Sequence, residues 1–367
     1  MLENPKLNTE NVKINRALIS VFDKTNLAIL GKELSSRGIE ILSTGGSANF
    51  LREKNIAVTD VSEYTNFPEI MDGRVKTINP LIEGGILGLR DKHETDATEN
   101  NIKWIDLVIC NLYPFSETIS KENCDQALAL ENIDIGGPTM IRSAAKNVGW
   151  VTVVVNPSDY EHVLENINEE NEINFETRSS LSSKAFGHTA QYDTIIHNYL
   201  KESKLSNDFT LTYTKHSDMR YGENPHQDAA AFKIPGDKSN SILNAKIHQG
   251  KKLSYNNIMD ADAALSCLKE FKSTACVIVK HANPCGVALG TNMLDVYKKA
   301  FAADSISAFG GIIAINQPCD DILAEEISKV FVEIVLAPAF TKKSLDIFSK
   351  KKNLRVLEVG NVEPRDQ

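Results

Sequence analysis

Short β-branched apolar runs alternate with segments of helical period along most of this 367-residue chain, and that alternation limits the fold more than any other feature. Arg16-Ala-Leu-Ile-Ser-Val21 reads as a buried strand. Leu27, Leu30 and Leu34 follow at helical spacing, and Gly38 marks the end of that helix. Residues 39–42 are a second strand running into Ser43-Thr44-Gly45-Gly46-Ser47, with a helix expected over residues 48–54. Residues 105–110 and 151–155 are further apolar runs, stopped by Asn111-Leu-Tyr-Pro-Phe115 and Asn156-Pro157. Apolar runs without polar alternation, separated by helices, predict a parallel sheet covered on both faces, an α/β fold.

Residues 175–203 read as one long helix. The polar, aperiodic stretch 204–218 is expected to be a linker, so residues 1–203 form one domain and residues 219–367 another. In the second domain residues 275–279 and 311–315 are expected strands, with a helix over 294–303 between them. Residues 354–359 read as a last strand with no covering helix, which suggests a sheet left unfinished.

Charge and cysteine usage narrow the function. The net charge is −9, from 40 Lys+Arg against 49 Asp+Glu. This argues against general nucleic-acid binding but leaves room for a local basic pocket that takes a phosphorylated small molecule. No apolar run approaches the ~20 residues needed to span a bilayer, and the polar residues 1–16 suggest no secretory signal. The six cysteines form no C-x-x-C pair, which opposes structural zinc and fits reduced thiols in a cytosol.

Several strings carry chemistry. Ser43-Thr44-Gly45-Gly46-Ser47 lies between a strand and a helix N-terminus, where glycines admit an anion to backbone N–H groups and the helix dipole favours negative charge. The plainer alternative is a tight turn with an N-cap. Ser20-Val-Phe-Asp23-Lys24 ends the preceding strand, and ligands of open parallel sheets bind at strand carboxyl ends. Arg74 and Lys76, two apart in an extended segment, would share one face and clamp a phosphorylated ligand; the alternative is a solvated basic strand. Tyr113 stands at another carboxyl end, either as a proton donor to a developing oxyanion or as a core aromatic. Asp134-Ile-Gly136-Gly137-Pro138 opens a helix that carries Arg142 and Lys146, and Lys146 also suits the helix dipole alone. Lys280-His281 follows a buried strand and offers a base beside a cation that holds it neutral. Pro284-Cys285 matches part of a zinc-deaminase signature, but residue 288 is Ala and no H-x-E is present.

Read in order, these strings are joined by Gly73-Arg-Val-Lys-Thr77, Ile133-Asp-Ile-Gly-Gly137, Arg142-Ser-Ala-Ala-Lys-Asn147, Arg220-Tyr-Gly-Glu-Asn-Pro-His-Gln227, Lys280-His-Ala-Asn-Pro-Cys-Gly286 and Ser307-Ala-Phe-Gly310. With them the chain resembles the bifunctional AICAR transformylase/IMP cyclohydrolase family of purine biosynthesis, from about Arg16 to about Val359. The resemblance implies an N-terminal methylglyoxal-synthase-like α/β/α domain that closes FAICAR to IMP with loss of water. It implies a second, cytidine-deaminase-like α/β domain, without zinc or any other metal. This domain transfers a formyl group from the cosubstrate 10-formyltetrahydrofolate to the 5-amino group of AICAR. It also implies a cytosolic homodimer with transformylase sites at the subunit interface, and neither nucleic acid nor membrane as partner. Family chains continue through a second half of the transformylase domain. Residues 219–367 are therefore expected to be its N-terminal part, an incomplete domain, with formyl transfer dependent on the remainder and the cyclohydrolase domain whole. The alternative is a nucleotide-binding or dimer-forming module without turnover. A methylglyoxal synthase-like lyase is opposed by the second domain and by the set Tyr113, Asp134 and Lys146.

Motif by motif, the resemblance implies that Ser20, Lys24, Ser43, Thr44, Gly45 and Ser47 line a phosphate region. Arg74, Lys76, Thr77, Tyr113, Asp134 and Lys146 would surround the reacting base. Tyr113 and Lys76 are expected to stabilise or protonate the formyl oxygen, and Asp134 with Lys146 to assist the carboxamide nitrogen. For formyl transfer His281 is the expected base and Lys280 the oxyanion partner. Arg220, Tyr221 and His226 would bind AICAR and its phosphate, with Asn283, Phe309 and Gly310 on the folate side.

Overall fold

The structure, a computed structural model, describes residues 6–203, 205 and 207–364. It divides into two compact units, Met1–Thr212 and Tyr213–Gln367. Thr214–Asp218, inside the stretch expected to be a linker, is a strand of the second unit paired with Ala230–Lys233.

In the first unit the strands β1 (Arg16–Val21), β2 (Glu40–Ser43), β3 (Thr59–Asp60), β4 (Leu107–Asn111) and β5 (Thr152–Val154) form one sheet in the order β3-β2-β1-β4-β5. Every pairing is parallel. The order reverses between β1 and β4, and such a switch point opens a crevice at the strand carboxyl ends. Successive residues point to opposite faces, so Ala17 and Ile19 enter one core and Leu18 the other. Helix α1 (Leu27–Ser36) covers the first face with Leu27, Leu30 and Leu34. Helices α3 (Pro80–Leu87), α4 (Gly136–Lys146) and α5 (Phe175–Leu200) cover the second through Ile82, Ile141 and Ala185. Between β2 and β3 runs α2 (Gly45–Glu53), which begins three residues before the expected start. Gly45 takes φ +47°, a conformation that glycine alone adopts without steric cost, and the chain turns from strand to helix within one residue.

The second unit is built on a six-stranded sheet. Its strands are β8 (Lys246–Gln249), β9 (Thr274–Lys280), β10 (Asn283–Gly290), β11 (Ile312–Ile315), β12 (Ile334–Ala337) and β13 (Arg355–Glu358), with the pair Thr214–Asp218 and Ala230–Lys233 numbered β6 and β7. The order is β8-β13-β12-β11-β9-β10. Strand β13 was expected to end an unfinished sheet. Instead it lies inside the sheet, parallel to β12 on one side and antiparallel to β8 on the other. The short, polar β8 gives no apolar signal, so its closure of that edge is invisible to hydrophobic patterning. Both faces are covered. Helix α6 (Tyr255–Leu268) packs Ala261, Ala264 and Leu265 on one, and α7 (Met293–Ala303) packs Val296, Tyr297 and Ala300 on the other. Strand β10 runs straight on from β9 as an antiparallel hairpin, and the motif Lys280–Gly286 forms its turn and first half.

Candidate active sites

In the first unit four segments meet at the carboxyl ends of β1, β2 and β4. Asn111, the last residue of β4, fastens the turn after β1. Its side-chain oxygen accepts the N–H groups of Phe22 and Asp23 at 2.7 and 2.9 Å, and its Nδ2 donates to Asp23 O at 3.1 Å. This holds Lys24 beside the start of α2. A Cβ at Gly46 would stand 3.9 Å from Lys24 Nζ, and one at Gly45 would stand 3.6 Å from Lys76 Nζ. Two ammonium groups thus flank a helix N-terminus whose first N–H groups have no intrahelical acceptor. This arrangement suits a phosphate. Ser20 Oγ and Thr44 Oγ1 lie 3.5 Å apart at its edge.

Asp134 completes this end of the unit. Its Oδ1 accepts the Gly137 N–H at 2.9 Å, and its own N–H donates to Tyr192 Oη at 2.8 Å. Burial pushes its carboxyl above the usual carboxylate range, against the Gly137 N–H and the nearby Lys76 charge. A carboxyl so placed can accept a proton nearer neutral pH. Beneath it the buried thiol of Cys110 is also pushed up, first by burial and then by the Asp134 charge. Thr77 is buried against Gly136. Tyr113 is 51% exposed, with its ring centroid 5.1 Å from that of Phe22. That exposure excludes the core-aromatic alternative and leaves the phenol free to meet a ligand.

The second unit holds a cavity of about 930 Å³ whose walls include Arg220, Tyr221, Lys280, His281 and Gly310. Lys251, Lys252 and Arg355 add positive charge; Asp218, Glu223, Asp260 and Glu333 oppose it. The guanidinium of Arg220 lies 5.4 Å from the Tyr221 ring centroid. Asn257 Nδ2 donates to Glu333 Oε2 at 2.9 Å, and Arg355 stands 4.0 Å from the same carboxylate. Lys280 Nζ donates to Phe309 O at 2.7 Å, which ties the end of β9 to the Phe309-Gly310 loop. His281 and Ala282 form a two-residue turn between the paired Lys280 and Asn283, with φ of +53° and +59°. Such turns favour Asn-Gly, and each ordinary residue held there costs roughly 1–2 kcal/mol.

Residues 144–367 match the AICARFT/IMPCHase bienzyme family, and residues 26–139 match the MGS-like domain family. The bifunctional purine biosynthesis protein PurH of Acetivibrio thermocellus is 50% identical over 358 residues, covering 96% of this chain and 70% of that protein. The chain belongs to the AICARFT/IMPCHase bienzyme family. PurH of Bacillus cereus is 51% identical over 353 residues, covering 95% of this chain and 69% of that protein. The crystal structure of ForH shares 32% identity, covers 49% of this chain and 94% of that chain, and superposes with a TM-score of 0.46. The role of this family member is that of an AICAR formyltransferase and IMP cyclohydrolase in purine biosynthesis.

The structure rearranges several of the residues that the bienzyme resemblance brought forward. Ser43 Oγ donates to Ile19 O at 2.7 Å, and Ser47 Oγ bonds both the N–H and the carbonyl of Val21 at 2.9 Å. Both hydroxyls are buried and clamp β2 and α2 to β1; they do not face an anion. Arg74 and Lys76 do not share an extended segment. Met71–Gly73 is a short 3-10 turn, and Arg74, which caps it, has right-handed αR backbone angles. Arg74 pairs with Glu131 and Lys76 with Glu69, so no two-cation clamp forms there. Lys146 ends the eleven-residue α4, about 15 Å along the axis from the end that carries Asp134. There it complements the helix dipole and does not pair with Asp134. In the second unit His226 is exposed in the loop before β7 and lies outside the cavity wall. Asn283 turns its amide onto His281 O at 2.8 Å. Phe309 offers its carbonyl to Lys280 and sets its ring 5.5 Å from Phe331.

Tyr192, Asp260, Asn257, Glu333 and Arg355 escaped the sequence reading. Each lies far along the chain from the residue it supports, so no local spacing marks it. Among the described residues no group of three or more His, Cys, Asp or Glu could hold a metal ion, and no helix is long and apolar enough to cross a membrane.

Proposed function

We propose that the first unit closes FAICAR to IMP at the crevice between β1, β2 and β4, and that the second unit holds AICAR in its cavity. The observation that carries the first half is the convergence of Lys24 and Lys76 on the N-terminus of α2, beside the raised carboxyl of Asp134. Lys24 and the helix N–H groups bind the nucleotide phosphate, and Lys76, nearer Asp134, faces the reacting base. Asp134 takes the proton from the carboxamide nitrogen as it attacks the formyl carbon. A C–N bond forms; the formyl oxygen takes up two protons, equivalent to those lost by the carboxamide and formamide nitrogens, its C–O bond breaks to release water, and a C=N bond to the former formamide nitrogen remains. Tyr113 and Lys76 supply hydrogen bonds and a proton to that oxygen. Ring closure is intramolecular, so much of the orientation is already present in the substrate.

In the second unit His281 accepts the proton of the weakly nucleophilic AICAR amine as it attacks the formyl carbon, and Lys280 stabilises the tetrahedral oxyanion; its collapse breaks the formyl bond to folate N10, which takes up a proton and leaves as tetrahydrofolate. Arg220 and Tyr221 hold the nucleotide; the Phe309-Gly310 loop, tied to Lys280, faces 10-formyltetrahydrofolate. The six cysteines are free thiols, which supports a reducing cytosol. A homodimer is part of the same reading and is checked by sedimentation.

Two assays on the 367-residue chain test it. One supplies FAICAR and follows IMP; the other supplies AICAR with 10-formyltetrahydrofolate and follows tetrahydrofolate. IMP binding without FAICAR turnover would replace the cyclohydrolase by a nucleotide-binding module. Tyr113→Phe should lower the rate of IMP formation by about 100-fold, the scale of losing one donor to a developing oxyanion. A variant as fast as wild type would remove Tyr113 from the reaction.

A further inference from the structure

The turn joining β9 to β10 has a backbone that its own residues disfavour, and the side chain that secures it comes from another element. His281 and Ala282 are both left-handed, and neither is the glycine or asparagine that such turns select. The Ala282 N–H donates to Asp260 Oδ1 at 2.8 Å. Asn283 closes the turn from within by donating to His281 O, but it belongs to the hairpin and moves with it. Asp260 sits on α6, which packs on the sheet through Ala261, Ala264 and Leu265, so its bond anchors the turn to the body of the unit. Strained backbone of this kind persists only where the surroundings over-determine it. A carboxylate suits the task, since it accepts without donating and binds an N–H more strongly than a neutral oxygen does.

We propose that Asp260 is a positioning residue for formyl transfer. Through the Ala282 N–H it holds the His281–Ala282 turn in the left-handed form that directs Lys280 and His281 into the cavity. The proposal rests on the assignment of that cavity to AICAR.

The test measures AICAR binding by calorimetry, and exchange of the Ala282 amide by NMR, on the full chain. The variants are Asp260→Ala, Asp260→Asn and Asp260→Ala combined with Ala282→Gly. Asp260→Ala should speed Ala282 exchange about tenfold or more and weaken AICAR about tenfold, the scale of one lost bond to a charged acceptor. Asp260→Asn should keep most of both, because its amide oxygen still accepts. Glycine at 282 tolerates positive φ, so the double variant should recover AICAR binding. A double variant as weak as Asp260→Ala would mean that Asp260 touches the nucleotide directly, and would overturn the positioning role. Unchanged Ala282 exchange in Asp260→Ala would overturn the anchor itself. Failure of the wild-type chain to bind AICAR would instead overturn the cavity assignment, and with it the link to formyl transfer, while the exchange data still report on the anchor.

Discussion

Exchanging Asp134 for asparagine should lower the rate of IMP formation by about 100- to 10,000-fold, the range expected when a positioned proton acceptor is lost. The unfolding temperature should not move. Two duties of Asp134 are separable: its Oδ1 receives the Gly137 N–H at the start of α4, and in the proposed mechanism its ionised carboxylate takes a proton. Asparagine keeps the first and loses the second. The wild-type rate should also report the burial of this group. The base must be ionised to act, and burial raises its pKa. The rate should therefore fall with decreasing pH through a value above the ordinary carboxylate range, and the fall should be missing from the residual activity of Asp134→Asn. A variant that forms IMP at the wild-type rate would sink the assignment of Asp134 as base.

Gly286→Ala should be severely destabilising, by about 3 kcal/mol, the upper end for overpacking. A Cβ there would stand 2.0 Å from Ala300 O and 2.9 Å from the Ala300 carbonyl carbon. These are backbone atoms of α7, so no side chain can swing aside. Relief requires α7 to lift from β10, which would pull Val296, Tyr297 and Ala300 out of the core. For a unit of this size the loss corresponds to a fall of roughly 6–12 °C in the melting of the second unit. Thermal unfolding of the full chain, followed by near-ultraviolet circular dichroism, checks it. An unchanged melting profile would show that the strand and helix are not so close. Gly286 closes the string that carries Lys280 and His281, yet its reason for being glycine is packing.

The α/β architecture was legible because it rests on local patterns. Arg16–Val21 and Thr274–Lys280 announce themselves as apolar, β-branched runs, and Leu27, Leu30 and Leu34 mark a helical face. Strand β10 was not legible as a strand. It contains Pro284, Gly286 and Gly290, lies at the sheet edge and alternates only partly between buried and exposed. The position of β13 was equally hidden, since its partner β8 is nearly all polar.

Residue types and order along the chain determine which chemistry is on offer: a glycine pair between a strand and a helix, a carboxyl at a helix start, a Lys-His pair after a strand. Those are covalent facts, and they also suffice to identify the family. Only the tertiary structure decides which of these groups meet. Ser43 and Ser47 sit in the string expected to line a phosphate, but their hydroxyls turn inward onto the backbone of β1. Lys146 is twelve residues from Asp134 and a full helix away from it. Asp260 is twenty-two residues from Ala282 and in contact with it. Sequence separation bears little on distance once strands and helices pack. The supporting contacts of both sites arise from that packing and from nothing local.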